Sequence, residues 1–110
     1  MDLKGLLSGN MQDMLAQAQR MQQDLLRVQE AAEAKEVEAS AGGGMVIVKI
    51  NGAQLVTAVR IDKAVFDSND IEMLQDLVRA AVNEGVRKSK EMIKEEMRKV
   101  TGGLPIPGLT

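Results

Sequence analysis

The stretch GGGMVIVKINGAQLVTAVRID, residues 42–62, decides the fold. Its β-branched apolar residues alternate with other residues on both sides of Asn51-Gly52, and Asn-Gly is the favoured pair for a two-residue type I′ turn. Three glycines at its start permit a tight reversal of the chain. The sequence therefore predicts a β-hairpin here. Just before it, Val37 and Ala39 alternate with polar residues, which predicts a further, half-exposed strand.

A two-residue loop fixes the pairing of the hairpin: Ile50 with Ala53, Val48 with Leu55 and Val46 with Thr57. One face then holds Val46, Val48, Ile50, Leu55, Thr57, Val59 and Ile61, which a helix can cover. The other face holds Met45, Ile47, Lys49, Val56, Ala58 and Arg60. It is too apolar to remain in water but carries two cations, as an interface with polar edges does. We therefore expect a homodimer interface formed by Met45, Ile47, Val56 and Ala58. A longer loop would shift this register.

Amphipathic helices are predicted on both sides of the sheet. In the first, apolar residues recur at alternating steps of three and four, the heptad period of a coiled-coil seam: Met11, Met14, Ala18, Met21, Leu25, Val28 and Ala32. This pattern predicts a helix over residues 10–35, capped by Asn10. The second pattern predicts a helix over residues 68–100. It would begin either at an Asp67 cap or at an Asn69–Glu72 capping box.

Two further features concern the end of the chain and a mid-helix glycine. Gly85 would weaken the second helix unless another backbone approaches it closely, and the sequence leaves both explanations open. The Gly- and Pro-rich residues 101–110 are expected to form a flexible tail. By its length of 110 residues the chain is expected to form one domain, residues 1–110, with its sheet over residues 36–62.

The composition excludes most catalytic chemistry. The chain has no Cys and no His, and Phe66 is its one aromatic residue, so it has no thiol nucleophile, histidine base or Cys/His metal site. Its serines have no histidine to activate them, and no pair of carboxylates is placed for acid–base work. We therefore expect no enzyme activity and no catalytic residue, metal, cofactor or small-molecule substrate.

Targeting signals and net charge give weaker indications of the protein's location and partners than the composition gives of its chemistry. The N-terminal MDLKGLLSGN is too short and polar for a signal peptide, and no apolar run approaches the roughly 18 residues of a membrane span. A cytoplasmic protein without a membrane partner is therefore expected. The net charge is −2, whereas nucleic-acid-binding domains often have a pI above about 9. Any affinity for DNA must come from the local placement of charge.

Positive charge is concentrated on the second predicted helix. At about 100° per residue, four cations fall within roughly 80° of one another, opposite the apolar face: Arg87, Lys90, Lys94 and Arg98. Lys88 and Lys99 flank this stripe, and Arg20 and Arg27 on the first helix are weaker candidates. The stripe is either a solvated face that favours the helix dipole or a phosphate-binding surface. The residues alone favour the solvated face.

Three segments together resemble the YbaB/EbfC family of bacterial nucleoid-associated proteins: NMQDMLAQAQRMQQDLLRVQE, VEASAGGGMVIVKINGAQLVTAVRID and EMLQDLVRAAVNEGVRKSKEMIKEEM. The resemblance covers residues 6–109, and its most telling pieces are Gln17-Ala18-Gln19, Gly42–Gly44, Ile50-Asn51-Gly52, Ile61-Asp62, Met73-Leu74 and Ala80-Ala81. Lys63 departs from it, because relatives often have Pro there. The resemblance implies an α+β, α-β-β-β-α subunit with long helices flanking a three-stranded antiparallel sheet. It also implies a homodimer whose protruding helices bind double-stranded DNA.

We therefore expect a non-enzymatic, nucleoid-associated protein that binds duplex DNA as a homodimer through the helix-borne cations. Roles in nucleoid organisation and gene regulation would follow. The resemblance does not fix which residues contact DNA. The alternative is a prefoldin-like chaperone or protein-binding adaptor that holds apolar peptides in Met-rich helical grooves. The slightly acidic balance favours this alternative.

Overall fold

The structure is a computed structural model that describes residues 3–102, with side chains from residue 9 onward. Two long helices flank a small sheet. In chain order the elements are α1 (Leu3–Ala34), β1 (Glu36–Ala41), β2 (Val46–Asn51), β3 (Val56–Ile61), α2 (Lys63–Asp67) and α3 (Ile71–Thr101). The strands are antiparallel in the order β1-β2-β3. This confirms the predicted α-β-β-β-α arrangement, to which the short helix α2 is an addition.

The helix boundaries differ from the predicted ones in three places. α1 begins at Leu3 rather than at residue 10. α3 is capped by Asp70, whose carboxylate accepts a hydrogen bond from the Met73 N–H at 3.0 Å. Both predicted caps, Asp67 and Asn69, are therefore wrong, and Asp67 instead ends α2. Of the predicted flexible tail, Thr101 ends α3 and Gly102 caps it, whereas residues 103–110 lie outside the described residues.

The predicted pairing of β2 with β3 is wrong. In the structure Val46 pairs with Ile61, Val48 with Val59 and Ile50 with Val56. The physical reason is a longer loop between β2 and β3. The Asn51 side chain accepts hydrogen bonds from the N–H groups of Ala53 and Leu55 at 3.0 and 3.1 Å. Such a local side-chain bond offers the backbone an alternative to the two-residue turn. Gln54 takes the left-handed φ of 65° that completes the loop.

A β-bulge in the same hairpin moves one apolar side chain to the other face. The register shifts between Lys49 and Ile50, so that Val56 lies opposite Ile50. Directly opposed residues of an antiparallel pair have their side chains on the same face. Val56 therefore lies on the α3 side of the sheet and not, as predicted, with Ile47. The α3 side of β3 thus carries three large apolar residues: Val56, Val59 and Ile61.

The core lies between α3 and only two of the three strands. Val46, Val48 and Ile50 of β2 are fully buried, together with Ala81 of α3. A Cβ added at Gly85 would lie 2.5 Å from Ile50 Cδ1. Close packing of α3 on β2 therefore explains the mid-helix glycine, although the group that approaches is a side chain and not a backbone. By contrast, every residue of β3 is exposed.

Within the part of the chain that the structure describes, α1 contacts the other elements only near its C-terminal end. Ala32 is buried and Leu25 and Val28 are half-buried, but Met11 and Met14 are each 68% exposed. The molecule accordingly measures 83 × 19 × 16 Å and has a radius of gyration of 22.0 Å, against about 13 Å for a globular chain of this length. Among the described residues, the heptad pattern of α1 therefore has a partner along only part of its length.

The first testable prediction concerns Gly52, which is buried against the end of α1. A Cβ added there would lie 2.2 Å from the Ala32 carbonyl oxygen, and the Gly52 N–H donates to the Lys35 carbonyl at 3.0 Å. Because both neighbours are backbone atoms, Gly52→Ala should lower the free energy of unfolding by about 2 kcal/mol. Urea denaturation measures this change.

The matched control is Gly9→Ala, because a Cβ at this helical position meets nothing within 4 Å. It should leave stability unchanged or raise it by up to about 1 kcal/mol. Equal stability of Gly52→Ala and the wild-type protein would contradict the close contact between the β2–β3 loop and α1.

Candidate nucleic-acid interface

The second half of α3 leaves the sheet and continues beside α1. The change occurs at the buried Ser89, whose hydroxyl donates to the Asn51 carbonyl at 2.8 Å and accepts from Gln54 Nε2 at 2.7 Å. Farther along α3, Lys35 Nζ at the end of α1 lies 2.9 Å from Glu96 Oε1. These contacts position the last turns of α3 beyond the β2–β3 loop.

The two helices are antiparallel where they overlap. Beyond Glu96, Met97 and Thr101 are buried, and α1 is the element that the Lys35–Glu96 contact joins to this part of α3. We infer that both residues face α1. α1 therefore approaches the sheet along the direction in which α3 leaves it, and the outer side of α3 remains open to solvent.

The structure brings all six predicted cations of α3 to the solvent-exposed surface: Arg87, Lys88, Lys90, Lys94, Arg98 and Lys99. From Arg87 to Arg98 the helix rises by about 16 Å. The exposure agrees with the predicted face, but the six side chains differ in the partners that they have. These partners determine how much of their charge is available to a ligand.

Arg87 is the most strongly compensated cation. It forms ion pairs with Glu84 and Glu91, the latter at 2.7 Å. The hydrogen bond with Glu84, followed by the charges of both carboxylates, raises the pKa of Arg87 further above its ordinary value, and the same hydrogen bond lowers the pKa of Glu84. Arg87 is therefore permanently charged, but two anions offset that charge within its own helix.

Three other cations also have partners. Arg98 lies 3.7 Å from Glu95, and Lys99 lies 3.3 Å from Glu96. Lys88 Nζ donates instead to a backbone carbonyl of β1, that of Glu38, at 3.0 Å. Lys88 is thereby directed toward the sheet and away from the end of α3.

Lys90 and Lys94 form no ion pair with any residue that the structure describes. They are four residues apart on α3, so their side chains lie on one face of the helix. Both are exposed. Together they form the least compensated positive surface among the predicted candidates.

The two candidates on α1 belong to a different helix. Arg20 Nε donates to the Ala16 carbonyl at 3.5 Å, and Arg27 forms an ion pair with Asp24. Both side chains are exposed. They are bound to their own helix and add no compact cluster to the cations of α3.

The face of the sheet that was predicted to form the dimer interface is more polar than expected. Met45 and Ile47 are half-buried, whereas Val56 and Ala58 are exposed. In the register of the sheet, Ile47 stands between Ser40 and Arg60. Lys49 likewise stands between Glu38 and Ala58. The polar residues of β1 therefore share this face, which the hairpin considered alone did not include.

Lys35 is a positioning residue that the sequence did not reveal. Its ammonium group bridges α1 to Glu96, 61 positions later, and lowers the pKa of the Glu96 carboxyl together with the smaller effect of Lys99. A single lysine after a helix gives no periodic signal for so distant a partner. The structure alone shows that it connects the two helices.

Other functional groups are not found in the described part of the chain. Between residues 9 and 102 no group of three acidic, His or Cys side chains is placed to hold a metal ion. No helix of the described chain is long and apolar enough to cross a membrane. What remains as a candidate functional surface is the exposed cationic side of α3.

An elongated α+β subunit with a cationic helix surface is consistent with binding to a polyanion. The sequence profile of the YbaB/EbfC DNA-binding family matches residues 8–104. The chain therefore belongs to this family, which is a family of DNA-binding proteins and not a known enzyme family.

Individual relatives agree with this assignment. A nucleoid-associated protein of Alkaliphilus metalliredigens is 54% identical over 91% of this chain and 88% of the relative. One of Syntrophobacter fumaroxidans is 56% identical over 86% of each chain. Among solved structures, an uncharacterized protein of Helicobacter pylori has a TM-score of 0.58 and 26% identity, covering 71% of this chain and 90% of that one.

The second testable prediction concerns the Lys35–Glu96 contact. Because the pKa of Glu96 is lowered in the folded state, this carboxylate stabilises the fold above its unfolded pKa of about 4.3. That contribution is lost as the pH falls through the folded pKa. Glu96→Gln should therefore be less stable than the wild-type protein near neutral pH, with a difference that shrinks in acid.

Thermal unfolding between about pH 7 and pH 3 measures this difference. Glu30→Gln is the control, since Glu30 is exposed and forms no ion pair with a described residue. A Glu96→Gln difference that is constant with pH would contradict the ionic character of the contact.

Proposed function

We propose that this protein binds double-stranded DNA as a homodimer, through phosphate contacts made by α3. Membership of a DNA-binding family supports DNA as the ligand. The observation that carries the site is the exposure of Lys90 and Lys94, which form no ion pair within the described part of the chain. Phosphate contacts supply most of the sequence-independent affinity for DNA. The relatives named nucleoid-associated proteins support a location on the nucleoid, with roles in its organisation and in gene regulation.

The ion pairs of α3 suggest an order in which its cations contribute. Lys90 and Lys94 can contact phosphate without losing a partner. Arg98 and Lys99 must exchange a carboxylate for a phosphate, a small change because exposed pairs stabilise by only about 0.2–1 kcal/mol. Arg87 must give up two carboxylates, and Lys88 is held by β1. Arg20 and Arg27 remain secondary candidates on α1.

Little sequence specificity is expected of this surface. Contacts to phosphate position a protein on the duplex but carry no base information. Phe66 is the chain's one aromatic residue, so the protein lacks the row of aromatic side chains on which bases stack in many single-strand binders. Both considerations favour duplex DNA of many sequences as the ligand.

The uncovered strand β3 supports the proposed homodimer. Val59 and Ile61 are 51% and 42% exposed, although their cross-strand partners, Val48 and Val46, are fully buried. A second copy is the partner that would cover this apolar strip and pair two identical edges by a two-fold axis. The residues predicted from sequence (Met45, Ile47, Val56 and Ala58) divide between the two faces, and we propose that Val56 participates because the bulge places it beside this strip.

The family assignment favours DNA binding over the chaperone or adaptor hypothesis. One observation still fits that alternative, since Met11 and Met14 are largely exposed on α1. Suppression of client aggregation without retention of duplex DNA would support the alternative. The chain's own C-terminal residues are another candidate to cover these methionines.

The third testable prediction addresses the phosphate contacts. Lys90→Gln/Lys94→Gln should weaken binding to all duplex sequences alike and reduce the slope of log K against log salt by about 0.9 for each phosphate that is no longer neutralised. Fluorescence anisotropy at several salt concentrations measures both quantities. Lys63→Gln, an exposed lysine of α2, is the control for general removal of charge. An unchanged slope in the double variant would exclude this pair of lysines.

The fourth testable prediction distinguishes the two faces of β3. Val59→Asp places a charge on the α3 side and should convert the dimer to a monomer, because an interface desolvates that charge. Ala58→Asp, the adjacent residue on the opposite face, should leave the dimer intact. Size-exclusion chromatography with light scattering measures the mass. If Ala58→Asp alone dissociates the dimer, the face containing Ile47 is the interface instead.

A further inference from the structure

The free part of α1 presents an apolar surface that no described element covers. Met11 and Met14 are each 68% exposed, Leu15 62% and Met21 41%. With Ala18, which is also exposed, they form the methionine stripe: Met11, Met14, Leu15, Ala18 and Met21. The stripe continues, with the same heptad spacing, the seam that is buried near the other end of α1. A contiguous apolar surface of this kind indicates a binding site.

We propose that residues 103–110, GLPIPGLT, lie along the methionine stripe of their own subunit. The segment follows directly on the C-terminal end of α3. α3 ends at Thr101, which is buried and which we inferred to face α1. Gly102 then takes a left-handed φ of 66°, which stops the helix. The C-terminal end of α3 therefore lies beside α1, close to the point where the covered seam gives way to the methionine stripe.

The segment is also long enough to span the stripe. Leu25 is the half-buried seam residue nearest to the stripe, and from Leu25 to Met11 the helix rises by about 21 Å. Eight residues in an extended polyproline II conformation span about 25 Å. The segment can thus reach the far end of the stripe. Within it Ile106 and Leu109 would be about 9 Å apart, close to the roughly 10 Å between Met14 and Met21.

The segment and the stripe are both apolar and uncharged. GLPIPGLT contains no charged residue, and its large side chains are apolar: Leu104, Ile106 and Leu109. Pro105 and Pro107 fix their φ angles, so that less conformational entropy is lost when the segment is ordered. Methionines form adaptable surfaces for such aliphatic side chains. The two surfaces therefore match in character.

Tethering favours this segment over an untethered partner. A peptide joined by a short linker has an effective concentration at its site in roughly the millimolar range. The bound segment would shield the methionine stripe from other proteins and from the α1 of another copy. It would leave the polar side of α1, which bears Arg20 and Arg27, open. The proposal concerns the subunit alone and does not depend on DNA binding.

Disulfide trapping tests the proposal on the full chain, which contains no native cysteine. Ala18→Cys/Ile106→Cys places one thiol on the stripe and one on the segment. The control Ala16→Cys/Ile106→Cys makes the same change two residues earlier, where the side chain points about 160° away around the helix. Under oxidised glutathione, the first pair should form a disulfide within one subunit about tenfold faster or more.

Non-reducing electrophoresis and intact mass distinguish the outcomes. Equal rates for the two pairs would overturn the proposal, because a segment that only collides with α1 reaches both sides. A disulfide that links two subunits would overturn it as well, since the stripe would then be covered by a second copy. A small alkylating reagent checks beforehand that both thiols of each variant are accessible.

Methionine oxidation provides an independent measurement with the native stripe. Hydrogen peroxide supplies the oxygen atom that converts exposed methionine to its sulfoxide. In the variant Leu104→Ser/Ile106→Ser/Leu109→Ser, Met14 and Met21 should be oxidised several-fold faster than in the wild-type protein. The buried Met97 is the internal reference. Identical rates at Met14 in both proteins would contradict coverage by the segment.

Discussion

The packing of one helix on a three-stranded sheet is the constraint on which the rest of this structure depends. A helix is about 10 Å wide and strands are about 4.8 Å apart, so α3 can cover two strands but not three. It covers β1 and β2, and the contact is close because Gly85 admits Ile50. β3 is left uncovered although Val59 and Ile61 face the same side as the core. The exposed apolar strip on β3 thus follows from geometry and not from an unusually apolar sequence.

The same constraint explains the elongated shape. α1 cannot cover β3, because its C-terminal end is fixed against the β2–β3 loop by Gly52 and against α3 by the Lys35–Glu96 contact. It therefore extends away from the sheet. Its residues are mostly Ala, Leu, Met, Gln and Glu, which are strong helix formers, and a helix of 32 residues is long enough to offset the unfavourable nucleation step. The projecting part can thus remain helical with little tertiary contact.

Periodicity in the sequence was sufficient to predict the long helices and the strands, and the resemblance to the family implied their arrangement in a three-stranded antiparallel sheet. It failed where a single side chain competes with the backbone, since the hydrogen bonds of Asn51 lengthen the hairpin loop and the bulge then transfers Val56 to the opposite face. For the candidate site, the angular positions of the cations around the helix axis correctly predicted that they lie on an exposed face. It could not assign their partners, because the ion pairs depend on side-chain conformations and, for Lys88, on the position of β1.

The arrangement of charge on α3 has a consequence for how a protein of net charge −2 binds a polyanion. At physiological salt, charges more than about 8 Å apart are largely screened, so the overall negative charge matters less than the groups nearest to the phosphates. On the surface of α3 that we propose for DNA binding, these groups include Glu91 and Glu95 beside Lys90 and Lys94. The carboxylates hold the arginines and also repel phosphate, which limits the affinity of each contact. Such a surface favours reversible, salt-sensitive binding, and in the homodimer that we propose two such surfaces would act together, which would link the uncovered strand to the cationic helix.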